Sequence, residues 1–159
     1  MERDYEAERV AGPRCECCEA GRLVTEYRSD SFEHEGETGT VAIKANRVPF
    51  EVCNSCKSTF VTRDTLRARH EALCRQLGLI TPAETLQIRE HHGLNRARFA
   101  KITRFGEASL FRWERGRSLP NQSNSNYMKL LLQNPANVEF LLAQDAKSTE
   151  ESVAKTLGE

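Results

Sequence analysis

Nowhere does the sequence string together the roughly 20 apolar residues that a membrane-spanning helix needs, so none of its 159 residues is read as crossing a bilayer. Its first residues, Met1-Glu2-Arg3-Asp4-Tyr5-Glu6, are polar and acidic, unlike the basic and apolar pattern of a secretory leader. No Gly-rich phosphate loop, Gly-x-Ser-x-Gly elbow or His-Glu-x-x-His pair occurs, which removes the usual sequence signs of nucleotide hydrolysis, serine hydrolysis and zinc proteolysis. His91-His92, at the end of an expected helix, reads as a solvated pair. The expectation is a protein that is not an enzyme. Net charge is also missing, because 23 Lys/Arg balance 23 Asp/Glu, and on its face that argues against a nucleic-acid partner.

The distribution of charge says otherwise. Residues 1–60 carry 8 basic and 12 acidic side chains, residues 61–120 carry 12 and 6, and residues 121–159 carry 3 and 5. A basic centre between acidic ends is what a phosphate-binding middle needs, although a solvated helical face has the same look. Six cysteines without a leader point to a reducing compartment, where such thiols bind metal more often than they form disulfides. A cytoplasmic location is expected.

Two Cys-x-x-Cys pairs, Cys15/Cys18 and Cys53/Cys56, are the strongest chemical signal. Each brings two sulfurs to one side of the backbone, and together they make the four-thiolate tetrahedron of a structural zinc site. Four protein ligands leave no open position, so a structural Zn2+ is expected, with iron the other metal such a set accepts. Three other readings compete. A Cys-x-x-Cys can serve redox chemistry, Cys17 can replace a neighbour, and Cys53, Cys56, His70 and Cys74 are spaced nearly as a Cys-Cys-His-Cys finger. His34 reads as a solvated loop residue. Between the pairs, Arg22–Tyr27 and Val41–Lys44 have strand character, with turn residues at Glu35-Gly36-Glu37-Thr38-Gly39, so a hairpin is expected to fold the two halves together. A module of about 60 residues buries little apolar surface, and the metal would supply part of its folding energy.

Residues 64–77 lack Pro and Gly, repeat Leu66, Leu73 and Leu77 near helical spacing, and stop at Gly78; Thr62 or Arg63 is the expected cap. Thr81-Pro82-Ala83-Glu84 carries the hydroxyl cap, first-turn proline and third-position glutamate of a helix start, and Gly93 ends that helix. Asn95 caps a second helix, Arg96 to Thr103. A turn at Arg104-Phe105-Gly106 leads to a third, Glu107 to Arg115, ended by Gly116. Two short helices so joined form a helix-turn-helix, whose second member enters the major groove. Ser123 and Asn134-Pro135 start two more. The expected architecture is α+β in two domains: a β-hairpin-rich zinc-bound module (1–62), a connector helix and linker (63–80), an all-α five-helix domain (81–144) and a C-terminal tail (145–159), disordered or with one short helix from Ser148.

Ile88 to Asn95 with Phe99-Ala100, followed by Leu110-Phe111-Arg112-Trp113-Glu114-Arg115-Gly116-Arg117, resembles the Cro/repressor-type (Xre) helix-turn-helix. With the cysteine pairs in front, residues 14–143 resemble the MqsA/YgiT-type antitoxins, which join a zinc-binding domain to a helix-turn-helix domain. The resemblance implies repression of the protein's own operon through double-stranded operator DNA, a homodimer formed through the helical domain, and neutralisation of a co-encoded toxin, often an mRNA-cleaving enzyme. Carried onto this sequence, it makes Arg112 the candidate for a base edge such as guanine O6/N7. Glu107 and Ser109 occupy exposed positions at the start of the recognition helix. Trp113, Arg115 and Arg117 match positions near the DNA backbone, and Asn95 with Arg96 opens the helix whose first amides approach a phosphate. Arg89 and Glu114 match a pair bridging the first and third helices. Glu107 departs from the neutral residue common there, and Ala108 stands about where the best-known zinc-bearing members carry a DNA-reading Asn, so a different operator or weaker binding is expected. The alternative is a stand-alone regulator whose zinc module mediates dimerisation or other protein contacts.

Overall fold

In the computed structural model, residues 12–36 and 39–157 are described, of 150–157 the backbone only. The turn residues Glu37 and Thr38, the acidic N-terminus and the last two residues lie outside them. The architecture is α+β, with strands first and helices after. By internal contacts the chain divides into two compact units, Met1–Ala72 and Leu73–Glu159.

In the first unit, β1 (Leu23–Gly36) and β2 (Gly39–Cys53) form an antiparallel hairpin, and the two-residue β3 (Thr59–Phe60) pairs with Glu51 and Val52. The strands run far beyond the expected 22–27 and 41–44. The pattern that hides this length is a bulge. Arg28 pairs with Val48 but Asp30 pairs with Ala45, so β2 carries an extra residue, and Arg47 takes a left-handed φ of 56°. Apart from Cys53, which turns into the cysteine cluster at the strand end, buried side chains on β2 are odd-numbered before the bulge (Ile43, Ala45) and even-numbered after it (Val48, Phe50, Val52). One inserted residue thus keeps a single face buried along the whole strand.

Helix α1 (Arg63–Gln76) starts on a reciprocal cap between Thr62 and Thr65, with Thr62 N–H donating to Thr65 Oγ1 at 3.0 Å and Thr65 N–H to Thr62 Oγ1 at 3.3 Å. Within the first unit its small residues Ala68 and Ala72 pack with Phe32 against Ala45, Val48, Phe50 and Val52. Leu66, expected on the inner face, is 56% exposed. The small side chains own that face, so the larger leucine one position from Thr65 points away. Arg69 bonds Asp30 at 2.6 Å and lies over the rings of Phe32 and Phe50.

The second unit contains α2 (Pro82–His91), α3 (Arg96–Thr103), α4 (Glu107–Glu114), α5 (Gln122–Gln133) and α6 (Ala136–Leu157). The expected capping box is formed: Thr81 N–H donates to Glu84 Oε2 at 2.8 Å, and Glu84 N–H to Thr81 Oγ1 at 3.2 Å. Helices α1, α2 and α4 each end with a left-handed glycine, Gly78, Gly93 and Gly116. At each stop the next amide reaches back five residues, for instance Arg117 N to Arg112 O at 2.8 Å, which satisfies the orphan carbonyls of the last turn. The α5 cap falls on Asn121, whose side chain accepts from Asn124 N–H. Ser123, the expected start, lies already inside the helix. The core gathers Ile80, Ile88, Phe99, Leu110, Trp113, Met128, Leu131 and Val138.

The tail expected from Asp145 onward is instead a continuation of α6. Asp145 is buried and paired with Arg98 and Lys101 of α3, which fixes the helix where a break was expected.

Candidate metal centre and candidate nucleic-acid interface

The two Cys-x-x-Cys turns are built alike. In each, the first cysteine's carbonyl accepts from the amide four residues on (Glu19 N to Cys15 O, 3.0 Å; Lys57 N to Cys53 O, 3.1 Å). In each, the first sulfur faces the amide two residues on (Cys17 N and Ser55 N, both 3.4 Å). The residue after the second cysteine then takes a left-handed φ, 53° at Glu19 and 63° at Lys57. The halves are joined by Asn54 N donating to Arg22 O at 3.0 Å and Arg22 N donating to Asn54 Oδ1 at 2.9 Å.

The four Sγ atoms of Cys15, Cys18, Cys53 and Cys56 lie within 4.8 Å of one another, with Cys15–Cys56 at 3.7 Å and Cys18–Cys53 at 3.6 Å. Disulfide sulfurs sit about 2.05 Å apart. A tetrahedron with arms of about 2.3 Å, the zinc–thiolate length, has edges of about 3.8 Å. The donor set therefore fits a metal ion. His70 and Cys74 are not part of the cluster, and Cys17 is exposed with its thiol free of any disulfide. Burial pushes the Cys15 thiol up to about 12 against the pull of the Cys17 and Cys18 amides. The Ser58 hydroxyl and amide bring Cys56 down to about 6, and the Gly21 amide lowers Cys18. Cys15, Cys18, Cys53 and Cys56 would hold a metal ion as thiolates, which the neighbouring amide N–H groups would then face.

Gly21 was not singled out in the sequence. A Cβ there would meet Cys53 Sγ at 2.3 Å and Ser55 Cβ at 2.8 Å, so only glycine lets the hairpin close on the cluster.

In the helical unit, α4 buries Leu110 and Trp113 and leaves Glu107, Ala108 and Arg112 exposed, with Ser109 and Phe111 half-buried. Arg112 Nη2 donates to Ser109 Oγ at 3.2 Å. Trp113, placed near DNA by the family resemblance, is 8% exposed and stands edge-on to Phe105 with ring centres 5.4 Å apart. Core packing accounts for it. Arg89 Nε and Arg96 Nη2 both bond the carboxylate of Glu114, each at 2.8 Å. The Asn95 side chain caps α3 by accepting from Arg98 N–H at 2.8 Å. Arg115 and Arg117 are exposed. In the turn between α3 and α4 the left-handed residue is Arg104, φ 63°, while Gly106 is extended as the N-cap.

Residues 13–141 match the family described as the antitoxin component of a bacterial toxin–antitoxin system, MqsA. The chain belongs to that antitoxin family. A curated relative, Antitoxin HigA-2 of Vibrio cholerae serotype O1, is 31% identical over 77 residues, which are 48% of this chain and 73% of the relative. The matched span of the antitoxin family takes in both the cysteine cluster and the helical unit through Leu141. No helix among the described residues is long and apolar enough to cross a membrane.

Proposed function

We propose that the protein is a sequence-specific DNA-binding repressor and the antitoxin of a toxin–antitoxin pair, autoregulating its operon through the helical unit and neutralising a toxin through the metal module. The observation that carries the DNA reading is α4. Its inner face is locked into the core by Leu110 and Trp113, and its outer face offers Glu107, Ala108, Ser109 and Arg112 beside the exposed Arg115 and Arg117. An anchored short helix with one polar, partly basic face is the geometry of major-groove readout. Arg112 reads a base edge; Asn95, Arg115 and Arg117 serve the backbone. Arg96 and Trp113 act from behind, the first through Glu114 and the second through the core.

Zinc is the metal, held structurally by Cys15, Cys18, Cys53 and Cys56, and the protein is not an enzyme. The toxin surface is β1, which exposes Glu26, Glu33 and Glu35 together with Val24 and Tyr27. An acidic strand suits a basic, RNA-cleaving partner. Exposed Leu130 of α5 and Phe140 of α6 support a homodimer through the helical unit, and the protein acts in the cytoplasm.

The test is gel-shift and footprinting of the metal-loaded protein on the DNA upstream of its own gene, with a pull-down of co-encoded proteins. Two protected half-sites about 34 Å apart are expected, and Arg112→Ala should relax one base position by about 1–3 kcal/mol. Absence of any shift rejects the repressor reading, and unchanged discrimination by the alanine variant rejects the assignment of Arg112 to base readout. A stoichiometric small partner supports the antitoxin role, and a clean homodimer favours the stand-alone regulator.

A further inference from the structure

Phe111 is a large apolar residue of α4 whose half-buried side chain the core does not explain. It belongs to neither hydrophobic cluster and is not among the partly buried residues packed against them. Instead three guanidiniums surround its ring, those of Arg96 at 5.0 Å, Arg117 at 5.3 Å and Arg115 at 5.6 Å from the ring centre. They come from three different local structures: the first turn of α3, the C-cap of α4, and the chain just past Gly116. Gly116, with φ of 62°, turns the backbone so that Arg117 N–H closes on Arg112 O at 2.8 Å, and its side chain returns over the helix that has just ended.

Like charges gathered this closely repel unless something holds them. The Arg96 guanidinium is held twice, by Glu114 at 2.8 Å and by the ring. Arg115 and Arg117 have no acidic partner among the described residues, and their shared contact is the negative face of one aromatic quadrupole. Arg89 adds a fourth guanidinium on the far oxygen of Glu114, so four cations converge on one carboxylate and one ring. The one carboxylate offsets one of the four positive charges, and the guanidiniums of Arg115 and Arg117 are exposed. They lie at the C-terminal end of the helix that carries Arg112.

We propose that Phe111 is a positioning residue, whose ring, backed by the Glu114-held Arg96, gathers Arg115 and Arg117 into a preorganised clamp for phosphodiester oxygens beside the recognition face of α4. The inference rests on the DNA-binding reading and deepens it. Held guanidiniums lose less freedom when they meet a phosphate than free ones do. The clamp adds grip and orientation without reading sequence.

The experiment measures binding of the full-length, metal-loaded protein to a mixed-sequence 30-base-pair duplex and to the fragment upstream of its gene. Fluorescence anisotropy is read between about 50 and 200 mM salt. Phe111→Leu keeps an apolar side chain and removes the π face; Phe111→Tyr keeps the face. Thermal melting of each variant confirms the helical unit. Phe111→Leu is expected to bind both duplexes about five- to tenfold more weakly, with Phe111→Tyr near wild type. Arg117→Ala should lower the salt slope by about one. Adding Phe111→Leu to it should cost less than the two separate losses multiplied. Equal behaviour of the Leu and Tyr variants, whether both weakened or both unchanged, overturns the clamp while wild-type binding leaves the DNA reading standing. Independent, fully multiplicative losses overturn it too. A wild-type protein that binds neither duplex removes the DNA reading itself, and the clamp with it.

Discussion

Arg89 of α2 and Glu114 at the last turn of α4 meet at 2.8 Å across the helical unit, and the Glu114 side chain is only 4% exposed. Arg96 of α3 takes the second oxygen. One carboxylate therefore ties the three helices that frame the recognition face. Glu114→Gln should destabilise the helical unit by about 3 kcal/mol, because two guanidiniums then face a neutral amide in a partly desolvated place. Urea unfolding followed at the Trp113 fluorescence checks it; a midpoint unchanged from wild type would mean the bridge carries no stability.

Gly21→Ala tests the closing of the metal module. The new methyl would overlap Cys53 Sγ, 2.3 Å away, and neither the strand nor the sulfur can move without breaking the tetrahedron. Metal content per chain should fall well below one, and cobalt substitution should lose its thiolate charge-transfer band. Alanine at Gly36, whose Cβ would sit at an ordinary 3.6 Å from Gly39 O, is the matched control and should load normally.

Chelation should unfold the hairpin unit and spare the helices of the second unit, since the first has only the small cluster of Ala45, Val48, Phe50 and Val52 as its core. Backbone amide exchange read by region distinguishes the two. Metal loading should also release protons at neutral pH, because burial keeps the Cys15 thiol protonated, with its value at about 12, and the ion binds only thiolate. Calorimetry in buffers of different ionisation enthalpy reads that release, and loading weakens as the pH falls.

Asp145 should shape the acid limb of stability. Burial by itself raises its carboxyl, but hydrogen bonds from Lys101 and Arg98 together with their charges outweigh that and hold it below the ordinary carboxylate value of 3.8. A depressed folded value means the stabilisation is present above the unfolded value and is lost as pH falls through the folded one. Wild type should thus lose stability below about pH 4 in a step that Asp145→Asn lacks, the variant being already weaker at pH 7. Parallel acid profiles for the two proteins would show that the α3–α6 contact is not what titrates.

Much of this was legible in the chain. The cysteine spacing foretold a tetrad because two turns of fixed geometry need only a hairpin to meet. Thr81-Pro82-Ala83-Glu84 foretold a helix start, and Gly78, Gly93 and Gly116 foretold three stops, because caps are local chemistry. Illegible features depended on partners distant in sequence. The bulge at Arg47 broke the alternation that would have revealed the length of β2. Leu66 was outcompeted by Ala68 and Ala72 for the inner face. The continuity of α6 hung on a buried Asp145 whose partners lie 47 and 44 residues earlier in the chain. Glu19 and Lys57 adopt left-handed turns without the glycine that would have announced them.

The bulge separates two properties of the hairpin that strands usually couple. On its far side, between Asp30 and Ala45, the arm can gain or lose matched pairs of residues at the tip, and every remaining side chain keeps its face. Removing Arg47 alone would bring Ile43 and Ala45 out to water and turn their neighbours inward. Reach can drift in this arm over evolutionary time, while its phase is pinned by a single residue.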